Sequence, residues 1–250
     1  MLVYGGIDEA GYGPLLGPLT LGRCVFVIRD APSDQPINLW ERLSKGVCQS
    51  PAAAQRKGRL PINDSKKLHT HGEGFTGLRH LEEGVLVLGS LRGQTCASLE
   101  DWLQAFGAGL VFESVLPWYH AEPARPWESL PVICDAGLLA IARNVLAREI
   151  SAQGVELVDM GLAVVPEDRF NTMVAATRSK ASLSFTFVAR HLMEIWERFG
   201  EDQPLVTVDR QSGRSHYREP LSLCFPQAHL SILEEGDTVS RTGSRRGGEA

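Results

Sequence analysis

Asp8 and Glu9 stand side by side at the end of an apolar run, directly before the Gly/Pro-rich stretch Ala10-Gly11-Tyr12-Gly13-Pro14-Leu15-Leu16-Gly17-Pro18. Consecutive side chains of a strand point to opposite faces, so this pair cannot serve as two neighbouring ligands on one sheet face. One carboxylate leaves from the strand itself. The other reaches the same place through the bend that Gly11 and Gly13 permit, or acts through a water or its own backbone carbonyl. The result is a negative site with little side-chain bulk around it, which suits a hard divalent cation and an approaching phosphate. Asp209 ends a second short β-branched run, Leu205-Val206-Thr207-Val208, and opens a polar turn in which Arg210 and Arg214 are cations within reach of phosphate. Asp135 ends the run Val132-Ile133-Cys134 and competes with Asp209 for the same role; its ordinary alternative is to cap the helix that follows.

A second cluster of chemistry is Asn63-Asp64-Ser65-Lys66-Lys67-Leu68. Asp64 or Ser65 can cap a short helix, and the two lysines can meet phosphates. These readings are compatible. Lysine in the first turn works against the helix macrodipole, which leans toward a functional reason for the pair.

The opening stretch and the Asp-Ser-Lys-Lys-Leu stretch, in this order, resemble the two signatures of the type 2 ribonucleases H, whose usual opening is Asp-Glu-Ala-Gly-Arg-Gly-Pro followed by Gly-Pro. The resemblance implies an α/β fold of the ribonuclease H type, a mixed sheet opening with an antiparallel hairpin and flanked by helices. It implies a metal-dependent endonuclease that hydrolyses the RNA strand of RNA/DNA hybrids with Mg²⁺ or Mn²⁺. Asp8, Glu9 and Asp209 would be catalytic metal ligands; Gly11, Tyr12, Gly13, Ser65, Lys66 and Lys67 would bind substrate. In such enzymes carboxylates from separated strands surround two metal ions that activate a water and stabilise the leaving oxygen.

Two departures from the family pattern matter. Tyr12 stands where the family usually has Arg, which removes a phosphate contact and leaves 2′-hydroxyl readout to the backbone of Gly11 and Gly13. The family's fourth acid, on a helix after the last sheet strand, has no counterpart: the segment Lys180 to His191 echoes its pattern but precedes Asp209, and we read that echo as accidental. Glu235 or Asp135 are the substitutes on offer, although Glu235 in an acidic loop is equally a solvated side chain. The expectation is therefore a nuclease, or else a weakened or inactive nucleic-acid-binding member of the same fold with a shortened C-terminus.

The chain as a whole sets bounds on this. Its 250 residues, 43% hydrophobic, are enough for a full core. A net charge of −5 argues against attachment to nucleic acid through a global basic field, though a local Lys/Arg patch suffices for phosphates. Five scattered cysteines indicate neither a disulfide framework nor a zinc site. His69, His71 and His80 lack the spacing of a metal site on one helix face. No apolar run has the length of a membrane span and no leader is evident, so a cytoplasmic protein without a membrane partner is expected.

The elements that must position the acids read as follows. Leu2 to Ile7 and Leu19 to Arg29 form a hairpin. Residues 30–62 cross the surface around the amphipathic Leu39 to Leu43. Val85 to Leu88 and Leu130 to Asp135 read as strands, Leu99 to Phe106 and Leu138 to Ala152 as helices, and Val155 to Val165 as a strand. One long helix spans about Asn171 to Phe199 and feeds the strand that ends in Asp209. Leu221 to Phe225 and Leu230 to Leu233 are further strands. Trp118, Tyr119 and Trp127 read as sealing a core edge. A single domain over 1–240 with an enlarged middle section precedes a Gly/Arg-rich tail, 241–250, read as disordered.

Overall fold

The computed structural model describes residues 1–10, 17–31, 37–69, 74–107, 116–117, 129–209, 216–235 and 240–246. Gly11, Tyr12 and Gly13 lie outside them, as do His71, Trp118, Tyr119 and Trp127. The fold is α/β, built on a four-stranded mixed sheet flanked by helices.

β1 (Leu2–Ala10) and β2 (Leu19–Ile28) pair antiparallel from Leu2 opposite Ile28 to Ala10 opposite Thr20, the hairpin that the sequence implies. α1 (Leu39–Arg42), β3 (Val47–Cys48), α2 (Pro51–Lys57), β4 (Leu60–Pro61) and α3 (Ser65–Leu68) follow as short pieces, with β3 and β4 forming a small parallel pair. α4 (Arg79–Leu91), α5 (Leu99–Phe106) and α6 (Ala136–Ala152) lead to β5 (Val155–Val165), which pairs antiparallel with β2. α7 (Glu167–Thr177) and α8 (Lys180–Phe199) then feed β6 (Leu205–Val208), which lies parallel to β1. The strand order is β5-β2-β1-β6. α9 (Arg218–Cys224) and a second antiparallel pair, β7 (Ala228–Glu235) with β8 (Ser240–Arg246), complete the described chain.

Each face of the sheet buries its own core. On the first face Val3, Ile7, Leu19, Leu21, Val25, Ala163 and Val165 meet Phe170 of α7 and Leu183, Phe187, Val188 and Ile195 of α8. On the second face Leu2, Ile28 and Val155 meet Val87 of α4 and Ala142, Leu146 and Ile150 of α6. Each Val, Leu, Ile or Phe among them contributes about 1.5–3 kcal/mol when fully buried. β5 serves both clusters because Val158 is an extra residue opposite β2: Leu157 pairs with Phe26, Asp159 with Val25, and the buried side chains change face between them.

Several expectations require correction. Val85 to Leu88 lies within α4, where Val87, Leu88 and Leu91 turn one helical face to the core. Leu130 to Asp135 is not a strand; the amides of Val132, Ile133 and Cys134 all donate to the Glu82 carboxylate of α4. The helix expected over Asn171 to Phe199 is two helices, broken where Arg178 adopts a left-handed φ of 53° and Ser179 caps α8 by accepting the Ser182 amide. Leu221 to Phe225 falls mostly in helix α9. The stretch from Arg241 is not disordered through Arg246: β8 pairs its backbone with β7, which needs no apolar side chains of its own. Residues 247–250 lie outside the described residues.

Candidate active site

β1 stays extended through Ala10, so Asp8 and Glu9 leave on opposite faces, as alternation requires. Leu2 and Tyr4 pack into the second-face core, and two more steps along the same phase reach Asp8; Val3 and Ile7 pack into the first-face core, and the next step in that phase is Glu9. β6 obeys the same count. Leu205 packs on the second face and Val206 and Val208 on the first, which gives Asp209 the second face.

The register then joins the two aspartates. Tyr4 lies beside Leu205 and Ile7 beside Val208, so one further step puts Asp8 beside Asp209. The Asp209 amide donates to the Ile7 carbonyl at 3.2 Å, the ladder bond of that step. Adjacent strands run about 4.8 Å apart, so two exposed carboxylates start from neighbouring positions on one face, at the end where both parallel strands finish. Asp8 Oδ1 also accepts the Glu9 amide at 2.8 Å.

Glu9 is held from the other side of the sheet. Its Oε2 accepts the hydroxyl of Ser184, a fully buried residue in the first turns of α8. Gly17, at φ +97°, donates its amide to Glu167 Oε1 at 2.7 Å, at the start of α7.

The remaining candidates distribute as follows. Asp64 caps α3 by accepting the Lys66 amide at 2.8 Å, leaving Ser65, Lys66 and Lys67 exposed. α3 packs against α4, whose Val87 belongs to the second-face core, so the lysine pair lies on the side of the sheet that carries Asp8. Asp135 caps α6, its Oδ1 accepting the Leu138 amide at 2.9 Å. Glu235 ends β7 opposite Ser240, in the C-terminal hairpin. Among the described residues no three His, Cys, Asp or Glu side chains gather as a metal site.

The chain matches no family model, no curated protein and no solved structure.

Residues that the sequence reading passed over form the keying of α8 to the sheet. Arg23 of β2 donates Nε–H to Asp159 Oδ2 of β5 at 2.7 Å and pairs with Glu194 of α8, while Arg198 of α8 pairs with Asp159 Oδ1. Arg23 also donates to His191 Nδ1 at 2.9 Å; since guanidinium only donates, the proton of this imidazole is on Nε2, which faces the Leu21 carbonyl at 3.3 Å. Burial, and then the Arg23 charge, hold His191 down at about 4, so it is neutral. A signal for this cluster is present in the sequence: Arg23 and Asp159 occupy the inward phase of otherwise apolar alternating strands. Among the described residues no helix is long and apolar enough to cross a membrane.

Proposed function

We propose that this protein is a metal-dependent phosphodiester hydrolase acting on the RNA strand of RNA/DNA hybrids, as its resemblance to the type 2 ribonucleases H implies. The observation that carries the reading is the register between β1 and β6, which sets Asp8 beside Asp209 although 200 residues of chain separate them. The reading is supported by a mixed sheet that opens with the β1–β2 hairpin and by α8 leading into β6, which ends at Asp209.

The donor set fits Mg²⁺ or Mn²⁺. Magnesium is held through one or two carboxylates together with substrate phosphates, and Asp8 with Asp209 supply two carboxylates from neighbouring ladder positions on one face. Bound there, the ion would supply a nucleophilic water and charge stabilisation at the leaving oxygen. The work of the chain is placement. The ladder bond between Asp209 and Ile7 fixes the separation of the two aspartates, Ser184 restrains Glu9, and Lys66 and Lys67 neutralise the phosphates of a strand laid over the second face. The backbone of Gly11 and Gly13, with Tyr12 between them, reads the 2′-hydroxyl side of the hybrid.

A second reading, binding without turnover, has one observation in its favour: Glu9 leaves β1 on the face opposite Asp8. A hybrid labelled on its RNA strand, titrated with Mg²⁺ and Mn²⁺ beside duplex DNA and a duplex with one embedded ribonucleotide, separates the two. Cleavage of the hybrid alone, or of the hybrid and the single ribonucleotide, supports the hydrolase; retention of the hybrid with no cleavage at any metal concentration supports the binder.

A further inference from the structure

We propose that Gly6 and Gly22 form the floor on which the scissile sugar-phosphate strand of the hybrid lies, kept free of side chains so that the strand can descend to Asp8 and Asp209. The inference rests on the hydrolase reading and names where the substrate touches the sheet. On the second face, α4 and α6 cover the core that contains Leu2, Tyr4, Phe26, Ile28 and Leu205. Further along the strands that face opens: Gly6, Gly22 and Thr207 are exposed, as are Asp8 and Asp209. Gly22 is the direct cross-strand partner of Asp8, and Gly6, two residues before Asp8 in the same phase, lies beside Thr207.

Nothing in the fold asks for glycine at either place. Glycine weakens a strand interior and marks places where a ligand or another backbone comes close. The other two glycines of this sheet have packing reasons: a Cβ on Gly5 would meet the side chains of Val206 and Ile195 at 3.4 and 3.6 Å, and one on Gly161 would meet the Arg23 guanidinium. A Cβ on Gly6 or Gly22 would meet nothing within 4 Å, and neither residue has a positive φ. Both lie in the two central strands, where open space and an ordinary extended backbone favour β-branched residues. What their bareness offers is close approach. A phosphate that shares a divalent ion with Asp8 and Asp209 must come down to two short side chains rooted in the sheet. A Val at position 22 would stand as high as the Asp8 carboxylate beside it and meet the sugar first. Lys66 and Lys67, on the same side of the sheet, supply the positive charge that such a strand needs.

The test compares the full chain with Gly22→Ala, Gly22→Val and Gly6→Val by thermal unfolding, by fluorescence anisotropy of a labelled RNA/DNA hybrid and by its Mg²⁺-dependent cleavage. Both Val variants are expected to melt higher by about 2–4 °C, while binding the hybrid about tenfold more weakly and losing about 100-fold in kcat/KM. Gly22→Ala should fall between the parent and Gly22→Val. The Mg²⁺ concentration for half-maximal cleavage should stay where it is, because both aspartates are untouched. Unchanged hybrid binding in both Val variants would overturn the proposal, and so would a lowered melting temperature, which would give the glycines a structural role. If the parent chain retains the hybrid without cleaving it, the hydrolase reading fails alone and the anisotropy arm still decides the role of the floor. If the parent chain binds no hybrid, both fall.

Discussion

The guanidinium of Arg23 lies across the backbone of Gly161, with its Cζ only 2.6 Å from where a Cβ on Gly161 would stand. The two residues are direct partners in the β2–β5 ladder, so the side chain of one occupies the space that the other leaves. Gly161→Ala should therefore displace Arg23 from Asp159, Glu194 and His191 together. We expect a loss of about 1–3 kcal/mol, the usual range for overpacking, read from urea unfolding with unchanged m.

His191 makes stability depend on pH in a defined window. Its imidazole titrates near 4 in the folded chain and near the ordinary 6.5 when unfolded. The unfolded state thus takes up the proton first as pH falls, so stability drops between about 6.5 and 4 and this residue contributes no slope above 6.5. The integrated loss is ~3 kcal/mol for a group 1% exposed. Arg23 and Arg190 oppose the proton, and Asp159 and Glu194 favour it. His191→Gln should flatten the slope relative to the parent chain when unfolding midpoints are compared at pH 7 and pH 4.5.

Glu82 accepts three successive amides, those of Val132, Ile133 and Cys134, with the latter two at 2.9 and 2.8 Å. This carboxylate fixes the entry into α6 and pushes the Cys134 thiol up to about 12, after burial as the larger cause. Glu82→Ala should cost about 1–3 kcal/mol, moderated by water at the partly exposed amides. Amide hydrogen exchange at 132–134 should accelerate in that variant, while exchange in β2 should not change.

Asp8→Asn should raise metal-free stability by roughly 0.2–1 kcal/mol, since it removes one of two like charges in adjacent ladder positions and keeps an oxygen for the Glu9 amide. The same substitution should abolish the rise in melting temperature that Mg²⁺ gives the parent chain. Thermal unfolding with and without excess Mg²⁺ reads both effects.

Much of this arrangement was legible in the sequence where pattern and length agreed. The hairpin of β1 and β2, the helix α6, the eleven-residue β5 and the short β6 with Asp209 at its end all follow from alternation or helical spacing. Val85 to Leu88 misled because four apolar residues carry no period of their own; Val87, Leu88 and Leu91 define the face only within the full span of α4. The break before α8 was marked by Ser179, a cap three residues before Ser182, within a segment whose apolar content reads through it. The Gly/Arg-rich β8 owes its structure to backbone pairing with β7, which composition does not report. In the candidate site, the separate faces of Asp8 and Glu9 follow from strand geometry, whereas the link from Glu9 to Ser184 depends on the rotation of α8 and hence on the Arg23–Asp159 cluster.

The central claim is that Asp8 and Asp209 act as one unit on a divalent cation. Its most direct measurement is the Mg²⁺-dependent cleavage rate of a labelled RNA/DNA hybrid by the parent chain, Asp8→Asn, Asp209→Asn and the double variant. The parent should cleave the RNA strand, either single variant should lose at least about 100-fold, and the double should lose little more, as for residues that share one task. Cleavage that persists in either single variant, or losses that multiply in the double, would contradict it.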